Sequence, residues 1–222
     1  MTHTLAITAI TPVARNVFSY DMEKPDGFRF EPGQATEVAI DKDGWRDEKR
    51  PFTFTSLPDD DRLQFTIKSY PDHDGVTNQL SKLLVGDRLI VDDPWGTIAY
   101  KGKGVFIAGG AGITPFIAIM RQLNETKDGL AGHTLLFANR YERDIILQDE
   151  LETMPGLNIR HILSEENKSG YDHGLIDRAY LEKVVDDFGQ QFYLCGPDPM
   201  IKDLKATLTD LGAEPDALVF EE

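Results

Sequence analysis

The chain has 222 residues, enough for one large domain or two compact ones, and its 41% hydrophobic content sets it apart from disordered compositions. A formal net charge of −15 argues against nucleic acid as a main partner, because phosphate binding needs a basic face. No apolar run reaches the roughly 18 residues of a membrane span, Met1–Leu5 lack the charged and apolar regions of a secretory signal, and the single cysteine, Cys195, cannot form an intramolecular disulfide, so a soluble, reducing, cytoplasmic setting is expected.

In chain order, short runs rich in β-formers predict strands over 5–10, 35–40, 63–67 and 88–91. Turn clusters separate them: Pro25-Asp26-Gly27, Pro32-Gly33 and Pro58-Asp59-Asp60-Asp61. Such spacing suggests a small barrel, interrupted by one helical segment over about 77–84. Past Lys101 the rhythm changes. Strand-like runs over 105–108, 134–138, 159–163 and 191–194 alternate with helical runs over 115–123, 146–152, 179–185 and 200–211. That is the β-α-β pattern of a parallel sheet covered by helices. The expected architecture is therefore a small antiparallel β-barrel over 1–100, followed by a parallel-sheet α/β domain over 105–222. The polar stretch Lys101-Gly102-Lys103-Gly104 is the boundary.

The segment Arg50-Pro51-Phe52-Thr53-Phe54-Thr55-Ser56 carries the most chemistry. Alternation along a strand sends Arg50, Phe52 and Phe54 to one face and Pro51, Thr53 and Thr55 to the other. A planar, anionic ligand along the strand edge explains the mixture: Arg50 for a phosphate, the Phe52 ring for an aromatic heterocycle, the Thr53 N–H and hydroxyl for a ring nitrogen. A flavin nucleotide has those parts. The competing reading is an ordinary half-buried strand that begins with Arg.

Two turns later in the chain follow apolar strands. Gly109-Gly110-Ala111-Gly112-Ile113-Thr114-Pro115 comes after Val105–Ala108, and its glycines allow a sharp turn and a close backbone approach to a ligand. Thr114 then reads as a helix N-cap with Pro115 at the first helical position, which aims a helix N-terminus at a pyrophosphate. Near the end, Tyr193-Leu194-Cys195-Gly196-Pro197-Asp198-Pro199-Met200 places Cys195 at the C-terminal edge of the last apolar strand, where α/β sheets bind ligands. A lone cysteine is otherwise a small buried hydrophobe.

With these motifs in this order, and Gly86-Asp87-Arg88-Leu89 leading to Pro94-Trp95-Gly96, the sequence resembles the ferredoxin–NADP reductase-like flavoproteins over nearly its whole length. The resemblance implies that Arg50 contacts a flavin phosphate, with Pro51 in the same motif, that Phe52 lies on the isoalloxazine, and that Thr53 reaches the N5 edge. The family more often has Tyr at position 52, so a phenolic hydrogen bond is missing here. A second flavin element is Lys68 with Gly75-Val76-Thr77-Asn78, where a helix N-terminus would meet a diphosphate. The alternative is that Thr77 is a plain N-cap. Two phosphate positions favour FAD over FMN. Tyr70 would stack on adenine or is simply a surface tyrosine.

The same resemblance assigns Gly110, Gly112, Ile113 and Thr114, with Cys195, Gly196 and Pro197, to the nicotinamide nucleotide. Thr53 and Cys195 are the catalytic candidates, and Cys195 positions the ring rather than acting as a nucleophile. Relatives that use NADPH place a Ser-Arg pair after the third strand of this domain; here the stretch is Ser164-Glu165-Glu166. A carboxylate repels a 2′-phosphate and accepts from a free ribose hydroxyl, so Glu165 predicts NADH over NADPH, while Arg140, after the second strand, is a competing contact. At the C-terminus Phe220 would supply the ring that covers the flavin in relatives, or the tail is a strand end.

The function implied is an NAD(P)H-dependent flavoprotein reductase that passes electrons from bound FAD to a separate acceptor such as ferredoxin, flavodoxin or an oxygenase component. A free-flavin or ferric reductase and a non-catalytic nucleotide-sensing or electron-transfer subunit are the alternatives. One cysteine cannot hold an iron–sulfur cluster, and His3, His73, His133, His161 and His173 show no metal or triad spacing, so no metal is expected. Arg46, Lys49, Lys101 and Lys103 would form a docking patch for an acidic carrier, or are solvated surface charges.

Overall fold

A computed structural model describes residues 1–96 and 98–214, with the backbone alone of 218–220. Six antiparallel strands open the chain: β1 (His3–Ala14), β2 (Val17–Glu23), β3 (Ala35–Ile40), β4 (Arg50–Thr53), β5 (Arg62–Lys68) and β6 (Arg88–Val91). Their order is β4-β3-β6-β1-β2-β5. The outer strands meet where Phe54 bridges Phe65 and the Thr55 N–H donates to the Gln64 carbonyl at 2.8 Å, which closes the sheet into a barrel. A short helix, α1 (Val76–Leu80), follows β5 and buries Val76 and Leu80 in the barrel core.

Aromatic rings dominate that core. Phe54 stacks on Phe30 with centroids 4.4 Å apart and lies 5.1 Å from Phe65 and 5.8 Å from Phe28. Full burial of one such ring contributes about 1.5–3 kcal/mol. Behind it runs a chain of buried polar groups: Ser19 Oγ to Thr66 Oγ1 at 3.0 Å, Thr66 Oγ1 to Thr55 Oγ1 at 3.1 Å, and Thr55 Oγ1 to Gln64 Oε1 at 3.1 Å.

A second sheet is parallel throughout, in the order β10-β9-β8-β7-β11-β12. It comprises β7 (Gly104–Gly109), β8 (His133–Asn139), β9 (Leu157–Leu163), β10 (Asp172–His173), β11 (Gln191–Cys195) and β12 (Leu218–Phe220). The helices are α2 (Thr114–Asn124), α3 (Gln148–Glu152), α4 (Arg178–Val184) and α5 (Asp198–Asp210). Val105, Ile107, Leu136, Ile162, Phe192 and Leu194 form one face of the sheet and pack against Leu181 of α4 and Leu204 and Leu208 of α5. On the other face the register aligns Cys195, Ala108, Phe137 and His161 in a single row.

The antiparallel barrel followed by a parallel α/β sheet is the architecture expected from the sequence. Two compact units result, and the first combines Met1–Gly96 with Thr114–Gln122 of α2. Inside that unit Arg121 donates to the Thr55 carbonyl at 2.5 Å and to Gln64 Oε1 at 2.9 Å, extending the buried polar chain.

Several elements differ from expectation. β2 is unpredicted. The Arg50 strand ends at Thr53, because Phe54 turns into the core and Thr55 and Ser56 are fully buried. α1 begins at Val76 with Gly75 as its N-cap, so Thr77 is already helical and is not a cap. Likewise Thr114 is the first residue of α2, entered directly from a 3-10 turn over Gly110–Ile113, and is not an N-cap ahead of Pro115.

Candidate functional site

On the first unit, β4 runs along the edge beside β3, pairing Thr53 with Ala35 and Arg50 with Val38. The Arg50 side chain is half exposed; its guanidinium donates to the Lys49 carbonyl at 2.6 Å and stands 3.5 Å from the Glu48 carboxylate. Phe52 is half-buried and packs its ring 6.5 Å from Phe65. Thr53 is only 6% exposed, and its hydroxyl makes no hydrogen bond among the described residues. A cation, a ring and a hydroxyl thus remain available on one short strand. Thr55 and Ser56 serve the core instead, where Ser56 Oγ accepts from the Gln64 N–H at 3.0 Å.

At α1 no side chain caps the helix, and the amides of Val76 and Thr77 have no partner among the described residues. Around Gly75 a Cβ would meet nothing within 4 Å, so its backbone is open on that side. Unpaired N–H groups beside open space fit a phosphate oxygen. Lys68 lies at the end of β5 with its ammonium 5.9 Å from the Tyr70 ring centroid. Tyr70 is a surface tyrosine, 45% exposed, with its edge on His73. These residues fit a flavin dinucleotide.

In the second unit the glycine turn after β7 packs against the turn after β11. Gly110 takes a φ of +54°, the left-handed region that glycine enters without penalty. A Cβ on Gly112 would lie 2.2 Å from the Cys195 carbonyl oxygen, and one on Gly109 would lie 2.6 Å from Met200 Sδ. The close approach expected of these glycines is therefore to the chain itself. Gly109 and Gly112 let the turns after β7 and β11 nest, with Gly196 and Pro197 against Gly109 and the Cys195 backbone against Gly112. Cys195 is 8% exposed and closes the row that runs through Ala108, Phe137 and His161.

At the C-terminal ends of β8 and β9 the chain is cross-tied. The Ser164 N–H donates to the Asn139 carbonyl and the Glu165 N–H to the Arg140 carbonyl, both at 3.0 Å. Of the two adjacent carboxylates, Glu166 turns inward and accepts the Glu142 N–H at 2.9 Å. Glu165 is exposed and its carboxylate takes no partner among the described residues; the Arg140 guanidinium is also exposed and unpaired there. Lys168 is held by Glu142, and Arg143 lies 4.9 Å over the Tyr141 ring.

Sequence reasoning missed Asn139. Its side chain is 7% exposed, at the very end of β8, and neither amide atom has a partner. Buried amides without partners cost free energy, so an orphan at the C-terminal edge of a parallel sheet fits a site completed by a polar ligand such as a nucleotide. The signal was present: a polar side chain directly after the apolar run Leu135–Ala138. The carboxylates paired to Arg46 (Asp41 at 2.7 Å, and Asp43) and to Lys49 (Asp92) neutralise half of the suggested basic patch. Phe220 lies in β12, with its backbone paired to Leu194, while its side chain is outside the described residues.

Comparison with known proteins decides what this geometry belongs to. An FAD-binding domain model matches residues 3–101, and an oxidoreductase NAD-binding domain model matches residues 106–206. An NADH-cytochrome b5 reductase 1 from Lodderomyces elongisporus is 32% identical over 221 residues, spanning 91% of this chain and 72% of the relative. The chain belongs to the ferredoxin–NADP reductase-like flavoprotein family. The reductase component of propane 2-monooxygenase from Mycolicibacterium goodii is 28% identical over 233 residues, covering 96% of this chain. This family member spans 65% of that relative's length and 62–65% of the other three relatives matched first. The FAD/NAD-binding domain of a Vibrio cholerae nitric oxide dioxygenase shares its fold, with a TM-score of 0.86 at 21% identity over 98% of this chain and 97% of that one. Among the described residues of this flavoprotein no helix is long and apolar enough to cross a membrane.

Proposed function

We propose that this chain is an NADH-oxidising flavoprotein reductase module, with an FAD-binding domain over 1–100 and a nucleotide-binding domain over 105–222, that delivers electrons to a separate acceptor protein. One observation carries the reading: a single chain holds both an FAD-binding and a nicotinamide-nucleotide-binding domain, and each has polar groups left unspent at the expected edge.

FAD, when bound, would supply the redox chemistry, that of a hydride acceptor able to give up electrons singly or in pairs. The chain's own residues bind and orient. Arg50 neutralises phosphate charge, Pro51 keeps β4 extended, and Phe52 offers a ring face to the heterocycle. Thr53 presents its hydroxyl and backbone to the polar edge. Lys68 and the amides of Gly75, Val76 and Thr77 hold the second phosphate. On the other domain Gly110, Gly112, Ile113 and Thr114 shape the pyrophosphate turn, while Cys195, Gly196 and Pro197 form the slot that orients the nicotinamide. Glu165 accepts from a ribose hydroxyl and disfavours a 2′-phosphate, which sets the preference for NADH, with Arg140 alongside. Orientation is the main catalytic device, so no strong general base is needed.

Relatives named as reductase components of monooxygenases and as cytochrome b5 reductases support an acceptor that is a protein rather than free flavin. Anaerobic absorbance of the purified protein, titrated with NADH and separately with NADPH, tests the proposal. A yellow protein bleached by near-stoichiometric NADH, and more slowly by NADPH, is the expected result. A colourless protein that takes up no FAD would overturn it.

A further inference from the structure

We propose that Glu142 sets nucleotide preference at one remove, by sequestering Lys168 and so keeping a cation away from the ribose 2′ position; the inference rests on the assignment of Glu165 and Arg140 to the nucleotide. Glu142 lies in a 3-10 turn after β8 and makes three ties to the loop that carries Glu165. Its Oε1 accepts from Tyr171 Oη at 2.7 Å, its Oε2 pairs with the Lys168 ammonium, and its N–H donates to Glu166 Oε2 at 2.9 Å. Tyr171 is braced in turn by Gln148 Nε2 at 2.8 Å.

The consequence is a matter of charge. A 2′-phosphate brings close to two negative charges and needs cations to receive them. Lys168 sits three residues beyond Glu165 on the same loop, and it is already neutralised by Glu142 and laid 5.9 Å over the Tyr171 ring. Glu166 is likewise spent on a backbone amide. What remains outward on this edge is the Glu165 carboxylate with two cations from the loop after β8, Arg140 and Arg143, the latter laid 4.9 Å over the Tyr141 ring. Glu142 therefore acts as a positioning residue: it contacts no nucleotide, yet it decides which charges the nucleotide meets.

Glu142→Gln keeps an acceptor for Tyr171 and the backbone N–H for Glu166, while releasing Lys168. The experiment measures calorimetric binding of 2′,5′-ADP and of ADP to the FAD-loaded protein, for wild type, E142Q, K168Q, E142Q/K168Q, Y171F and E165R, with thermal midpoints recorded alongside. E142Q is expected to improve the affinity for 2′,5′-ADP relative to ADP about fivefold, the order of one exposed ion pair. Adding K168Q should abolish that gain, and Y171F, which loosens the loop without freeing the lysine, should leave the ratio unchanged. A gain that survives in E142Q/K168Q, or that Y171F reproduces, overturns the proposal. If E165R gains and E142Q does not, the inference falls while the ribose assignment stands. If neither gains, both fall.

Discussion

The Glu165 backbone N–H donates to the Arg140 carbonyl at 3.0 Å, so an exposed carboxylate and an exposed guanidinium project from adjoining loops at the same sheet edge. On the proposed assignment a carboxylate there would accept from a ribose hydroxyl and repel a 2′-phosphate, and a guanidinium would attract one. Because Glu166 is tied to the Glu142 amide, the outward acid is Glu165 alone. Glu165→Arg should place two guanidinium groups there and reverse the balance. One charge-assisted hydrogen bond contributes about 1.5–3 kcal/mol, so the NADH to NADPH ratio of kcat/KM should fall by roughly 10–100-fold. Steady-state assays with both nucleotides and ferricyanide check this, and an unchanged ratio would count against the assignment.

Two glycines with different surroundings give opposite expectations. Gly112→Ala forces a Cβ to 2.2 Å from the Cys195 carbonyl, a backbone atom that cannot step aside. Overpacking of this kind costs about 1–3 kcal/mol, so the thermal midpoint should drop by several degrees. Gly75→Ala meets nothing within 4 Å at a φ of −112°, so folding should be almost unaffected. Its test is flavin retention after gel filtration, because the methyl group would stand where a phosphate is expected. A Gly75→Ala protein that melts normally but loses FAD supports the phosphate site at α1; one that keeps FAD at full occupancy argues against it.

Arg121 anchors the buried polar chain of the first unit through the Thr55 carbonyl and Gln64 Oε1. Arg121→Met keeps the length of the stem but strands the Thr55 carbonyl, while Gln64 Oε1 keeps only the Thr55 hydroxyl at 3.1 Å. Each buried group left without its partner costs about 1–3 kcal/mol. A fall of about 5–10 °C in the melting midpoint should follow, at about 2–4 °C per kcal/mol for a chain of this size. A midpoint within a degree of wild type would mean that water replaces the guanidinium at no cost.

Much of the frame was legible from local pattern. β3 and β6 fall where β-branched runs place them, and the alternation of strands and helices after Lys101 gives the parallel sheet. β2 was not predicted: Ser19, Asp21 and Glu23 alternate with Phe18, Tyr20 and Met22 as in a strand with one polar face, yet it pairs with β1 on one side and β5 on the other. Those polar groups are used by the barrel, Ser19 in the hydroxyl chain and Asp21 accepting from Gln64 Nε2 at 2.7 Å, and no periodicity reveals partners so distant in sequence. The site divides the same way. The candidates Arg50, Phe52, Gly75 and Cys195 are singled out by residue type and position alone. Which of Glu165 and Glu166 faces outward depends on an amide 24 residues away, and the space of Gly112 is filled by Cys195 rather than by a ligand.

His161 gives a pH dependence with a definite sign. The ring is buried between Phe137 and Tyr171, and its Nε2 stands 3.3 Å from Glu152 Oε1, near enough for an ion pair but misaligned for a hydrogen bond. Burial lowers its pKa from 6.5, outweighing the opposing pull of Glu152. The folded protein therefore holds the ring neutral where the unfolded chain would protonate it. Its stabilising contribution is complete above pH 6.5 and declines as pH falls below that value toward the depressed folded pKa. His133, also lowered by burial, adds to the same window. Asp87 and Asp92, whose pKa values are lowered by their bonds to Lys42 and Lys49, act separately, from below 3.8. His161→Phe removes two unpartnered nitrogens from the interior without changing the ring's shape greatly, so it should be neutral or stabilising at pH 8. It should also flatten the slope of the melting midpoint between pH 6.5 and 5, with the His133 contribution retained there. A variant whose midpoint falls with acid as steeply as the wild type would show that His161 is protonated in the folded state, with Glu152 rather than burial controlling it.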